Sequence, residues 1–174
     1  KLVTQLGADC IDFNKGTDFI TDKKKGYPNV DEIIKIKKRI CSFGLEVNRI
    51  TLPDITEKFM KDQMGGEKEL ENTCQALQAF GEVEVPLARQ RFMGETVEWC
   101  VTHYKSVQRG GYFSRGERVE VSRFQQATFT KEEKEDWWRR FHLVYERLIP
   151  IAEEYNVKLA IHPSDPPLTG APLD

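Results

Sequence analysis

At 174 residues the chain is long enough for one domain with a substantial core. Its 39% apolar and 31% charged residues suit a water-soluble globular protein, and a net charge of −2 argues against nucleic acid, which would favour a basic face. No apolar run approaches bilayer-spanning length and no signal-peptide pattern opens the chain, so a cytoplasmic protein with no membrane partner is expected.

Leu2, Val3 and Leu6 read as a helical turn that Gly7 stops. Asp9 to Phe13 is a short strand with polar residues interleaved, followed by a loop from Lys15 to Pro28. Asn29 with Glu32 has capping-box spacing, and Val30, Ile33, Ile34, Ile40 and Cys41 recur at helical spacing up to Gly44. Leu45 to Leu52 is β-rich and alternating, and Pro53 ends it. Glu67 to Phe80 is the next helix, with Leu70, Cys74, Leu77 and Phe80 on one stripe; Val83 to Phe92 is the strand after it. The insertion 94–129 is polar and breaks the rhythm. Thr130 and Glu133 form another capping box, opening a helix through Trp137, Trp138, Phe141, Val144, Tyr145, Leu148 and Ala152 that Pro150 should kink and Asn156 close. Val157 to Ala160 is a final strand.

Strand and helix thus alternate three times before a fourth strand. That order implies a parallel sheet with right-handed crossovers. Four strands are half of a (β/α)8 barrel, and a partial TIM barrel forming a single domain with one insertion is the favoured architecture. A small doubly wound sheet competes, but no Gly-rich phosphate fingerprint follows any strand. Both ends of the chain look cut, as in a segment of a longer protein. Four cysteines, Cys10, Cys41, Cys74 and Cys100, form no CxxC pair, and buried free thiols are expected.

The most informative stretch is Ile161-His162-Pro163-Ser164-Asp165-Pro166-Pro167. Proline cannot donate to a sheet ladder, so the strand stops near Pro163 and delivers an imidazole at its carboxyl end. In α/β barrels that end carries the chemistry. On the barrel reading, Asn14 and Lys15, then Asn48, Arg49 and Thr51, then Arg89, Gln90 and Arg91, and finally His162 and Asp165 converge there. Arginines suit an anionic substrate because guanidinium grips carboxylate or phosphate through paired hydrogen bonds. Each could equally pair with a neighbouring carboxylate such as Glu46, Asp54 or Glu95. One histidine is not a metal centre, which commonly takes three or more protein ligands. His142 reads as helix surface, His103 has no assigned place, and the Trp137-Trp138 pair reads as packing of helix on sheet. The insertion is a candidate lid or a subunit contact, with Gly110-Gly111 as hinges, and a homo-oligomer is expected.

The run Ala160 to Pro167, preceded by Ile149-Pro150-Ile151-Ala152-Glu153-Glu154, resembles the D-mannonate dehydratase family, in which a strand ends in His-Pro-Asp-Asp-Pro-Pro. The lead-in Gly44-Leu45-Glu46-Val47 looks similar too. The resemblance implies a xylose-isomerase-like TIM barrel that uses Mn²⁺ or Fe²⁺ to convert D-mannonate to 2-keto-3-deoxy-D-gluconate and water. It makes His162 a metal ligand, with the remaining ligands on later strands that have no counterpart in this chain. Arg49, Arg89, Arg91 and Asp165 would bind the sugar acid, and Tyr112 of the insertion would serve as general base. Ser164 stands where the family has an aspartate, which leaves open a sugar isomerase or epimerase of the same barrel class. A non-catalytic homologue or fragment is the third reading.

Overall fold

In the computed structural model, residues 2–13, 25–92, 101–120 and 130–161 are described. In chain order they form α1 (Leu2–Gln5), β1 (Cys10–Phe13), α2 (Val30–Cys41), β2 (Glu46–Thr51), α3 (Glu57–Met60), α4 (Gly66–Glu82), β3 (Leu87–Gln90), β4 (Val101–Val107), β5 (Phe113–Val119), α5 (Lys131–Glu154) and β6 (Lys158–Ile161). The chain divides into two compact units, Lys1–Met93 with Trp138–His162, and Gly94–Trp137 with Pro163–Asp174.

The first unit holds a parallel sheet in the order β1-β2-β3-β6. Neighbours in space are neighbours in sequence once the insertion is set aside. A doubly wound sheet reverses its strand order at a switch point; the described strands show no such reversal. Burial drives the assembly. Ile33 and Ile40 of α2, Leu70, Leu77 and Phe80 of α4, and Val144 and Leu148 of α5 are buried, as are Ile50 of β2 and Ala88 of β3. At about 25 cal/mol per Å² of apolar surface, these side chains are the main favourable term.

The helix ends follow their sequence signals. The Asn29 side chain accepts from the Asp31 amide at 3.0 Å. Thr130 and Glu133 form the full reciprocal box: the Glu133 carboxylate accepts from the Thr130 amide at 2.8 Å, and the Thr130 hydroxyl accepts from the Glu133 amide at 3.1 Å. Asn156 ends α5 with φ 54, while the Val157 amide reaches back to the Ala152 carbonyl at 2.8 Å. Helix α5 runs through Pro150 for another turn.

Two expectations need correction, and two elements lie beyond them. The strand expected over Val83 to Phe92 is confined to Leu87–Gln90, because the chain turns first at Glu84, with φ 59. The turn of helix α3 was not foreseen; Thr56 caps it by accepting from the Lys58 amide, while its own hydroxyl donates to Glu69 at 2.7 Å. Cys10 and Cys41 are exposed and only Cys74 is buried; Cys100 lies outside the described residues. In the second unit β4 and β5 pair as an antiparallel hairpin, with Gly110 and Gly111 in its turn. Both have φ above 80°, a conformation open chiefly to glycine.

Candidate functional site: an arginine-lined sheet face

The pairing of β1 with β2 contains an irregularity that shapes this face. Ile11 is opposite Val47, but Asp12 is opposite Arg49, so Asn48 is an extra residue in the ladder. Such bulges re-aim side chains and are uncommon between parallel strands. On a regular strand Asn48 and Arg49 would point to opposite sides. Here both reach the same carboxylate: the Asn48 amide donates to Asp12 Oδ1 at 3.0 Å and Arg49 Nε to Asp12 Oδ2 at 3.0 Å. The bulge also explains why Val47 and Ile50, three residues apart, are both buried.

Beyond the bulge, alternation resumes. Ile50, Ala88 and Gln90 are buried on one side, and Thr51 and Arg89, paired in register, take the other. Arg91 follows Arg89 at strand spacing. The segment after β2 stays alongside β3, since the Leu52 amide donates to the Arg89 carbonyl at 2.9 Å and the Ile55 amide to the Arg91 carbonyl at 3.1 Å. The carbonyl of Pro53 is tied from two elements, by the Thr73 hydroxyl at 3.0 Å and the Gln90 amide at 3.1 Å. These bonds fix Asp54, which takes Nε and Nη2 of Arg91 on its two oxygens, each at 2.8 Å.

Arg49, Arg89 and Arg91 therefore share one face at the carboxyl ends of β2 and β3. Their proximity is visible in Arg89, whose guanidinium is pulled below its ordinary pKa by burial and then by the charges of Arg49 and Arg91, with Asp54 opposing. Asp12 is held below the usual carboxylate value by the Asn48 hydrogen bond, against burial, with the Arg49 hydrogen bond and charge adding to it. Arg49 and Arg91 thus realise the carboxylate pairing left open by the sequence. Asp54 was foreseen as a partner; Asp12 was not, since only the bulge aims Arg49 at it. A cluster of guanidiniums on rigid strands can hold an anion at fixed orientation.

The remaining expected residues divide between the second unit, helix α5 and positions outside the described residues. Tyr112 is at the tip of the hairpin in the second unit and is 75% exposed. His162 and Asp165 lie outside the described residues, as do Asn14, Lys15 and Glu95. His103 sits on β4 opposite Glu117, and His142 is exposed on α5. Trp138 packs edge-on against Phe141, which stacks in turn with Phe92 and Tyr145. No group of three His, Cys, Asp or Glu side chains that could hold a metal ion occurs among the described residues. The nearest carboxylates, Asp12 and Asp54, are engaged by guanidinium and amide donors, so the described residues do not by themselves fit a cation.

A family model described as D-mannonate dehydratase (UxuA) matches residues 113–174. The crystal structure of mannonate dehydratase from Streptococcus suis serotype 2 is similar over 95% of this chain and 56% of that chain, at 21% identity and a TM-score of 0.65. The chain resembles the D-mannonate dehydratase family. It is a partial α/β barrel, and it spans 56% of the length of the Streptococcus suis protein. A xylose isomerase-like TIM barrel protein from Mycobacterium smegmatis in complex with magnesium aligns over 92% of this chain and 44% of its own, at 14% identity and a TM-score of 0.42. No helix among the described residues is long and apolar enough to cross a membrane.

Proposed function

We propose that this chain is the part of a sugar-acid hydro-lyase that holds the substrate's carboxylate, in a reaction taking D-mannonate to 2-keto-3-deoxy-D-gluconate and water. The observation that carries the reading is the face shared by Arg49, Arg89 and Arg91, two of them braced by Asp12 and Asp54. The family match over residues 113–174 supports the reaction class.

Dehydrating a sugar acid removes the weakly acidic proton beside the carboxylate and expels the neighbouring hydroxyl. Negative charge grows on the carboxylate as that proton leaves. Donors already aimed at it favour the transition state more than the ground state. Arg89 is the central donor, and Arg49 and Arg91 are oriented by their carboxylates. Asp165 would complete the substrate contacts, and Tyr112 would serve as the base that takes the proton. The cation implied by the resemblance, Mn²⁺ or Fe²⁺, would be held by His162 with groups outside this chain and would supply Lewis acidity. We further propose a cytoplasmic homo-oligomer that acts on a small molecule and binds neither nucleic acid nor membrane.

The test uses the complete protein with D-mannonate and added Mn²⁺ or Fe²⁺. Mass spectrometry should find a keto acid lighter than the substrate by one water. Arg89→Met should raise KM by roughly ten- to a hundredfold, the usual weight of a hydrogen bond to a charged group. His162→Ala should lose metal on elemental analysis. A product of unchanged mass would instead identify an isomerase or epimerase, and no turnover of any sugar acid would favour a non-catalytic protein.

A further inference from the structure

Thr51 stands out on the arginine face for a different reason. The residue is 1% exposed, and its Oγ1 has no hydrogen-bond partner among the described residues. A buried hydroxyl left in that state is destabilising, and the same volume could be filled by valine without that penalty. Its direction follows from the ladder: Thr51 is in register with Arg89, while Ile50 before it is buried on the opposite side. The side chain that carries the hydroxyl therefore lies on the same side of the sheet as the guanidiniums.

The chemistry of that side is one-sided. Arginine only donates hydrogen bonds. Among the described residues the nearby carboxylates, Asp12 and Asp54, already take a donor on each oxygen from Asn48, Arg49 and Arg91, which leaves them less ready to accept another. A sugar acid brings a carboxylate, which arginine satisfies, and beside it a hydroxyl whose proton needs an acceptor. Thr51 Oγ1 is an acceptor and can also donate.

Given the reading above as a sugar-acid enzyme, on which this inference rests, we propose that Thr51 is a specificity-determining residue. Its hydroxyl receives the 2-hydroxyl of the substrate while Arg89 faces the adjacent carboxylate. The site would then prefer 2-hydroxy sugar acids over their 2-deoxy counterparts, because the deoxy acid leaves a buried hydroxyl unanswered.

The experiment compares KM for D-mannonate with the inhibition constant of 2-deoxy-D-gluconate, which is mannonate without its 2-hydroxyl, in the complete protein. Wild type should favour mannonate by roughly tenfold, the scale of one hydrogen bond in a desolvated site. Thr51→Val should raise KM for mannonate by a similar factor, leave the inhibition constant of the deoxy acid unchanged, and melt no lower than wild type. Thr51→Ser should restore the discrimination. A merely structural threonine would move both constants together or lower the melting temperature. If wild type dehydrates mannonate and Thr51→Val keeps the full discrimination, the assignment of Thr51 is wrong while the enzyme reading stands. If wild type neither turns over nor binds a sugar acid, both fall.

Discussion

Replacing Asp54 by asparagine keeps the shape of the side chain but removes the charge that holds Arg91. The pair has two nearly ideal contacts, both at 2.8 Å, and each side chain retains roughly a third of its exposure (32% for Arg91 and 30% for Asp54). Fully exposed ion pairs contribute about 0.2–1 kcal/mol, and hydrogen bonds to charged groups about 1.5–3 kcal/mol. Partial solvent screening places this bidentate pair between those ranges, at about 1–2 kcal/mol. With a urea slope of about 2 kcal/mol per molar, the unfolding midpoint of Asp54→Asn should fall by about 0.5–1 M. Raising the salt concentration should narrow the gap only slightly, because the pair is partly buried. A double-mutant cycle with Arg91→Met isolates the coupling, which should be about 1 kcal/mol. A coupling indistinguishable from zero would refute the reasoning, because Asp54 would then be a neighbour of Arg91 and not its anchor.

Further tests probe other parts of the first unit. The lowered pKa of Asp12 means that its carboxylate stabilises the fold above the ordinary carboxylate value of 3.8, and that this contribution is lost as pH falls through the lower folded value. Urea midpoints of wild type and Asp12→Asn should therefore converge as pH falls below the ordinary value of 3.8 and through the lower folded one. Burial pushes the Tyr145 hydroxyl up to about 12, and it has no hydrogen-bond partner among the described residues. The neutral phenol's contribution is complete below the ordinary value of 10 and is lost as pH rises toward 12, so Tyr145→Phe should flatten the alkaline loss of stability and be neutral or stabilising at pH 7. In Gly66→Ala the new Cβ would lie 2.6 Å from the Lys58 carbonyl oxygen and the Phe59 Cα, both backbone atoms of α3. Thermal unfolding should show a loss of about 1–3 kcal/mol, as overpacking costs; an unchanged melting temperature would mean that α3 yields freely.

Much of the first unit was legible because its signals are local. Apolar spacing and caps place α2, α4 and α5 close to their observed ends, and alternation places β2. The sequential βα order then gives the parallel sheet. What escaped depends on partners distant in sequence. The hairpin of β4 and β5 is largely polar and exposed, so no apolar alternation marks it, although Gly110-Gly111 marks its turn. Arg89 and Arg91 could be placed together from their spacing, but the share of each arginine claimed by a carboxylate could not. Asp12 is 37 residues from Arg49, and only the extra residue at Asn48 brings them together. Thr51 was visible as a strand-end residue, yet its burial and unanswered oxygen are properties of packing.

The surplus residue in β2 has a wider consequence for how such a surface can change. Deleting Asn48 would restore a seamless ladder with β1, and the repaired strand would look better by every rule of sheet pairing. Val47 and Ile50 would then stand two residues apart on one side with Arg49 between them on the other, as the bulge already places them, so the loss would be mainly the Asn48 contact with Asp12. A one-codon loss at this spot is thus a milder lesion than a deletion elsewhere in the strand, where every later side chain would change sides. Insertion, conversely, is a cheap way for a βα protein to gain two adjacent polar side chains on one surface while leaving the downstream register intact.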